Sequence, residues 1–171
     1  MLSDNGFIQW LIKYYLPPMI ANALPVLVKG VRRIDAGRVF IDGKPLLGEN
    51  KTWEGLFTGL VASYIAGSSL SVIYSDPQLP LLSTGAGLFA LLGDILGAFI
   101  KRRIGLKPGE PALFLDQWDF ALGSTFFYYI TGTAQVYSKP LFILLMLIVV
   151  FTLHVGTNLI AYSLGLKHSK L

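Results

Sequence analysis

The sequence predicts an all-α integral membrane protein of five transmembrane helices. Three observations predict it: a high apolar content, five hydrophobic stretches of spanning length, and a lopsided placement of basic residues. Of 171 residues, 53% are hydrophobic and only 14% charged, with a mean hydropathy of +0.59. A water-soluble domain carries about a quarter charged residues. Such hydrophobicity excludes an intrinsically disordered chain. The lack of cysteine excludes a disulfide scaffold, a thiolate zinc site and a cysteine nucleophile. The length suits one polytopic domain over residues 1–171. No cleavable signal peptide is expected, because no basic segment precedes a short apolar run and a small-residue cleavage site.

A bilayer core about 30 Å thick needs about 20 mostly apolar residues per helix. The first stretch, residues 7–28, contains Pro17, Pro18 and Pro25. These remove backbone donors and predict a kink, which a membrane tolerates when neighbouring helices or water take up the freed carbonyls. The remaining spans are residues 53–74, 79–100, 118–137 and 140–164, and the last holds no ionisable acid or base except His154.

Charge sets the orientation. The first long loop holds Lys29, Arg32, Arg33, Arg38, Lys44 and Lys51. The third loop holds Lys101, Arg102, Arg103 and Lys107, and the tail holds Lys167 and Lys170. Of the 14 basic residues only Lys13 and Lys139 lie elsewhere, and the loop around Asp76 has none. The positive-inside bias puts the amino terminus outside and the carboxyl terminus in the cytoplasm, as an odd number of spans requires. The net charge of +4 therefore reports membrane edges, and no nucleic-acid partner is expected. Within the first loop, Asp42-Gly43 between two short β-prone runs predicts a small cytoplasmic hairpin.

The informative residues are the ionisable ones that a bilayer rejects. Asp94 lies inside the third span, about 10 Å of helix before the basic cluster at 1.5 Å per residue, so its carboxylate belongs to the cytoplasmic half. Gly97, Ala98 and Lys101 follow on the same stripe and leave a lane wide enough for a phosphate chain, although Gly93 and Gly97 by themselves read as helix-packing residues. Asp116 and Asp119, three apart at a helix start, share a face. Asp116 could serve as an N-cap, but Asp119, one turn inside, has no such role. Three carboxylates without cysteine or a nearby histidine make a hard oxygen site suited to Mg²⁺.

Gly48-Glu-Asn-Lys-Thr52 precedes the second span. Gly48 allows close backbone approach, Asn50 and Thr52 offer hydrogen bonds, and Lys51 adds a charge. The helix start at Trp53 supplies free N–H groups for an anion. The run is not a Walker A motif, and a juxtamembrane loop with an interfacial tryptophan explains its composition as well. Acids that hold metal beside bases that hold polyphosphate suit phosphoryl or nucleotidyl transfer, which is mostly positioning and charge neutralisation, with two metals about 3.5–4 Å apart. His154 and Asn158, one turn apart on the last span, read as an interhelical hydrogen bond, and His168 as a solvated tail residue.

Gly48-Glu-Asn-Lys-Thr-Trp-Glu-Gly55, Gly93-Asp94, Phe99-Ile-Lys-Arg-Arg103 and Leu115-Asp-Gln-Trp-Asp-Phe120 together resemble the CDP-archaeol synthases, integral membrane CTP:archaetidic acid cytidylyltransferases of archaea. The resemblance covers essentially the whole chain. A remoter similarity is to the CDP-diacylglycerol synthases, from which this sequence departs by Pro108 in place of an aspartate, Gln117 in place of an arginine, and no H-G-G element. Within the closer family, Glu54 and Ala98 stand where a basic residue and a serine are expected. The resemblance implies the reaction of CTP with 2,3-di-O-geranylgeranylglycerol-1-phosphate at the cytoplasmic face of the cell membrane, giving the CDP-activated lipid and pyrophosphate. It implies Asp94, Asp116 and Asp119 as ligands of Mg²⁺, expected as two ions. Lys51, Lys101, Arg102 and Arg103 then fall to the triphosphate and lipid phosphate, with Lys101 catalytic, and Gly48, Asn50, Thr52 and Lys107 to the nucleotide. Two rival readings are a CDP-alcohol phosphotransferase, whose D-G-x-x-A-R run Asp35-Ala-Gly-Arg38 does not match, and a small anion transporter, which leaves Asp116 and Asp119 unexplained.

Overall fold

The computed structural model describes residues 6–163 apart from 109 and 113. The tail residues Lys167, His168 and Lys170 lie outside the described residues. Among the described residues six α-helices form the fold: α1 (Phe7–Ala23), α2 (Trp53–Tyr74), α3 (Leu79–Arg103), α4 (Leu115–Ile130), the single turn α5 (Ala134–Tyr137) and α6 (Pro140–Ser163). A 3₁₀ turn, Leu24–Leu27, prolongs α1. Among the described residues, α2, α3 and the Pro140–Leu159 part of α6 are long and apolar enough to cross a membrane. The expected first span divides into α1 and the 3₁₀ turn, and the expected fourth into α4 and α5, because Pro25 and the turn at Thr131–Thr133 each end a helix.

Proline does not break α1. The helix runs through Pro17 and Pro18. Pro18 leaves the Tyr14 carbonyl without its helical donor, and the Tyr128 hydroxyl of α4 donates to that carbonyl at 2.5 Å. A neighbouring helix thus supplies the bond the proline removes.

Helix α3 is the centre, packed against α1, α2 and α4, while α6 leans on α4 and α5. Trp10, Tyr14, Tyr15, Ala90, Phe120, Tyr128 and Met146 make up much of the core. Small residues let the axes close: a Cβ on Gly59 would meet the Ala21 carbonyl at 2.5 Å, and one on Gly123 the Phe89 carbonyl at 2.2 Å. Interhelical hydrogen bonds run from Ser63 Oγ to the Ser83 carbonyl at 2.7 Å and from Ser124 Oγ to the Ala86 carbonyl at 3.3 Å. The outer faces expose Val61, Val72, Leu81, Leu96 and Ile148, the composition of a surface that meets lipid.

The predicted hairpin is reduced to a turn. Phe40 N–H donates to the Lys44 carbonyl at 2.8 Å and Leu46 N–H to the Arg38 carbonyl at 2.9 Å, around Gly43 at φ +74°. Within it the isolated bridge Val39–Pro45 forms, a second bridge joins Arg33 to Thr52 at the base of the loop, and no strand forms among the described residues. Pro45 has no N–H to extend a ladder.

Candidate functional site

The C-terminal end of α3, the start of α4 and the loop before α2 enclose a cavity of about 780 Å³. Its charged wall includes Lys51, Asp94, Lys101, Arg102 and Asp116, with Lys29, Glu49 and Glu110 also in the lining, and its apolar wall includes Val26, Val28, Leu56, Leu91 and Ile95. Lys51 Nζ donates to Asp94 Oδ2 at 2.5 Å, and Lys101 Nζ to Asp116 Oδ1 at 2.7 Å. All four side chains are between 17% and 28% exposed, so these charges are drawn partly out of water beside open space.

Asp116 also accepts the Ala112 N–H at 2.9 Å through Oδ2. It therefore anchors the entry to α4 and faces the cavity at once. Asp119 stands one turn further in, where its Oδ1 accepts the Phe120 N–H at 2.6 Å. Its Oδ2 lies against α3, where a Cβ on Gly97 would sit 2.4 Å from it. A Cβ on Gly93 would meet the Asp119 carbonyl at 2.3 Å. The expected glycine lane is thus filled by α4: Gly93 and Gly97 are packing residues, and the space they leave seats Asp119. Asp94, Asp116 and Lys51 are all near enough to act electrostatically on the Asp119 carboxylate.

Arg102 is 3% exposed and lines the cavity, with its Nε meeting no partner among the described residues. Gly48 packs on its guanidinium, since a Cβ there would lie 3.4 Å from Arg102 Nη1, and the φ of +116° is one that favours glycine. Asn50 lines the cavity and is exposed. Thr52 lines it too, but its hydroxyl caps α2 by accepting the Gly55 N–H at 3.2 Å.

Three expected site residues stand apart from the cavity lining: Asp119, packed against α3, and the two cations Arg103 and Lys107. Arg103 turns to the loop instead: it donates to the Pro45 carbonyl, pairs with Asp42 at 3.4 Å, and lies over the Phe40 and Phe99 rings. Consecutive helical residues diverge by about 100°, so Arg102 and Arg103 cannot share one wall. Lys107 is exposed, and its backbone N–H is bonded to Glu110 Oε2 at 2.7 Å.

Several polar residues not expected in the site also join the lining, among them Lys29, Glu110, Gln117, His154 and Asn158. Gln117 is 5% exposed, with its Oε1 unpartnered among the described residues. For the α6 pair, the signal was two polar side chains four apart in an otherwise apolar span.

As donors, the three aspartates fit a hard divalent ion, with no sulfur or imidazole among them. Among the described residues, however, no three acidic or histidine side chains stand together as a metal-holding group. Asp94 and Asp116 are each bound to a lysine.

Apolar helices packed by glycine and serine around a cavity of lysines, arginine and carboxylates define a class: an intramembrane helical protein with a charged internal site. The family model of CarS-like CDP-archaeol synthase matches residues 6–170. A CDP-archaeol synthase of Staphylothermus marinus is 50% identical over 164 residues, covering 96% of this chain and 93% of that protein. One of Pyrococcus furiosus is 39% identical, covering 90% and 92%. A solved structure of an intramembrane enzyme for archaeal membrane lipid biosynthesis aligns with a TM-score of 0.81 and 38% identity, over 90% of this chain and 95% of that one. The chain belongs to the CarS-like CDP-archaeol synthase family.

Proposed function

We propose that this chain transfers a cytidylyl group from CTP to an isoprenoid ether-lipid phosphate, giving CDP-archaeol and pyrophosphate, and that the charged cavity is where the two substrates meet. The family supports the reaction, and one observation supports its place: Lys51, Lys101 and Arg102 line the same cavity as Asp94 and Asp116, inside an apolar bundle. The rival phosphotransferase and transporter readings give way to the family.

A lipid phosphate monoester has a second pKa near 6 and is a dianion at neutral pH. It can attack without a general base, and none stands among the assigned residues. A phosphate oxygen of the lipid forms a bond to the α-phosphorus of CTP as the bond from that phosphorus to the pyrophosphate oxygen breaks. Lys51 and Lys101 would leave their carboxylates for phosphate oxygens, and Arg102, already buried with its Nε unpartnered among the described residues, would take another. Asp94, Asp116 and Asp119 would hold Mg²⁺, which when bound would neutralise triphosphate charge. Asn50 is assigned to the nucleotide. The apolar wall would receive the isoprenoid chains laterally, while CTP enters from water.

The five-span arrangement, with the amino terminus outside and the cavity at the cytoplasmic face, rests on the basic residues of the first and third loops. The test of the reaction is pyrophosphate release by the purified protein with CTP, Mg²⁺ and 2,3-di-O-geranylgeranylglycerol-1-phosphate. Release that depends on both substrates is expected; turnover that requires a pre-made CDP-lipid and an alcohol acceptor would overturn the reading.

A further inference from the structure

The loop between α1 and α2 has to hold Gly48–Lys51 on the cavity wall with no strand or helix of its own beneath them. Two consecutive upstream residues span the segment. At one end the Ile34 N–H donates to the Lys51 carbonyl at 2.9 Å. At the other, Asp35 Oδ2 accepts the N–H groups of Leu47 at 3.0 Å and Gly48 at 3.4 Å. The second oxygen, Oδ1, accepts the Gly37 N–H at 2.9 Å, which fixes the side chain. Asp35 is 7% exposed and is not part of the cavity lining. A buried carboxylate is retained only where donors meet it, and here the donors it meets belong to the wall. Gly48 in turn rests on the Arg102 guanidinium. Hydrogen bonds therefore tie Asp35 to Gly48, which packs against Arg102, and tie the adjacent Ile34 to Lys51.

We propose that Asp35 is a positioning residue, which sets the Gly48–Lys51 wall so that Arg102 and Lys51 face the triphosphate together. The proposal rests on the reading of that wall as the triphosphate seat. Asp35 acts through backbone N–H groups and touches no substrate.

The experiment is steady-state kinetics with both substrates varied, alongside amide hydrogen exchange of the detergent-solubilised full chain. Asp35→Asn removes the charge and one acceptor oxygen. It is expected to raise KM for CTP about tenfold, the scale of charge-assisted hydrogen bonds, with kcat and KM for the lipid phosphate little changed and with faster exchange at residues 47–51. A merely structural role would lower the yield of folded protein without a CTP-selective effect, and that result overturns the proposal. Should Asp35→Asn not fold, Gly48→Ala decides, because strain at φ +116° displaces the same wall with Asp35 intact. A CTP-selective rise in KM is expected; a defect confined to kcat or the lipid phosphate overturns the proposal. Lys51→Ala separates the two layers. If it leaves KM for CTP unchanged, the triphosphate seat is overturned; if it weakens CTP use and Asp35→Asn does not, the positioning role alone is overturned.

Discussion

Both ends of the bundle bury a lysine against an aspartate, and the two ends use the pair differently. At the end bearing the α2–α3 turn, Lys13 meets Asp76 at 3.3 Å, with side chains 8% and 31% exposed. Lys13 is closed in by the Tyr14 and Tyr74 rings, its nitrogen 5.5 and 5.3 Å from their centroids. At the other end Lys51–Asp94 and Lys101–Asp116 are shorter pairs that line a cavity of about 780 Å³ with Arg102, and Asp119 lies within electrostatic reach. A lysine packed under aromatic rings ties a helix to a turn. A lysine that borders open space beside further charge is able to exchange its carboxylate for a ligand's phosphate. Surplus charge and a larger cavity, about 780 Å³ against about 250 Å³ beside Asp76, distinguish the two ends, not the identity of the pair.

Substitutions at the two ends should break that comparison in different measurements. The largest effect is expected from Asp119→Asn, which removes a proposed metal ligand while the protein stays folded: turnover should fall below a few per cent, and retained activity above that level contradicts the proposed role. Next, Lys101→Ala should raise KM for CTP about 10- to 100-fold, as loss of a charge-assisted contact of about 1.5–3 kcal/mol implies. An unchanged CTP dependence refutes it. Lys13→Met should leave both KM values unchanged but lower stability by about 1–3 kcal/mol, between the values for exposed and fully buried pairs, read as a drop in the thermal midpoint in detergent.

The smallest effect concerns pH. Burial opposes the Asp35 carboxylate, but the N–H groups of Gly37, Leu47 and Gly48 outweigh it and hold its carboxyl below the usual carboxylate range. A depressed folded-state pKa stabilises the loop above the ordinary aspartate value of about 3.9, and that stability is lost as pH falls through the lowered value. Exchange protection at residues 47–51, corrected for intrinsic rates, should therefore hold down to about pH 4 and fade only below it. Fading already near pH 6 would contradict this account.

The resemblance of the chain to its family was carried by short runs, and parts of those runs come together: Gly48-Glu-Asn-Lys, Asp94, Lys101-Arg102 and Asp116 all reach one cavity, while Asp119 and Arg103 are not in its lining. Their local spacing was readable because a helix maps sequence distance onto height and face. Arg103 and Lys107 were assigned with their neighbours because composition alone cannot say which of several adjacent cations turns inward. Asp35 carried no local signal, since its partners Leu47 and Gly48 lie twelve and thirteen residues away. Gln117, His154 and Asn158 joined the lining only once α4 and α6 were placed.

Hydropathy and charge order by themselves determined that this is a helical membrane chain, with its acids and bases concentrated at one end, because partition into lipid depends on composition along the chain. Tertiary structure decided which lysine meets which carboxylate and where the prolines of α1 find relief. It also decided that the glycine stripe of α3 is filled by α4 instead of standing open. Those outcomes follow from close contact between helices distant in sequence, where a single missing Cβ or a rotation of about 100° settles which atoms meet.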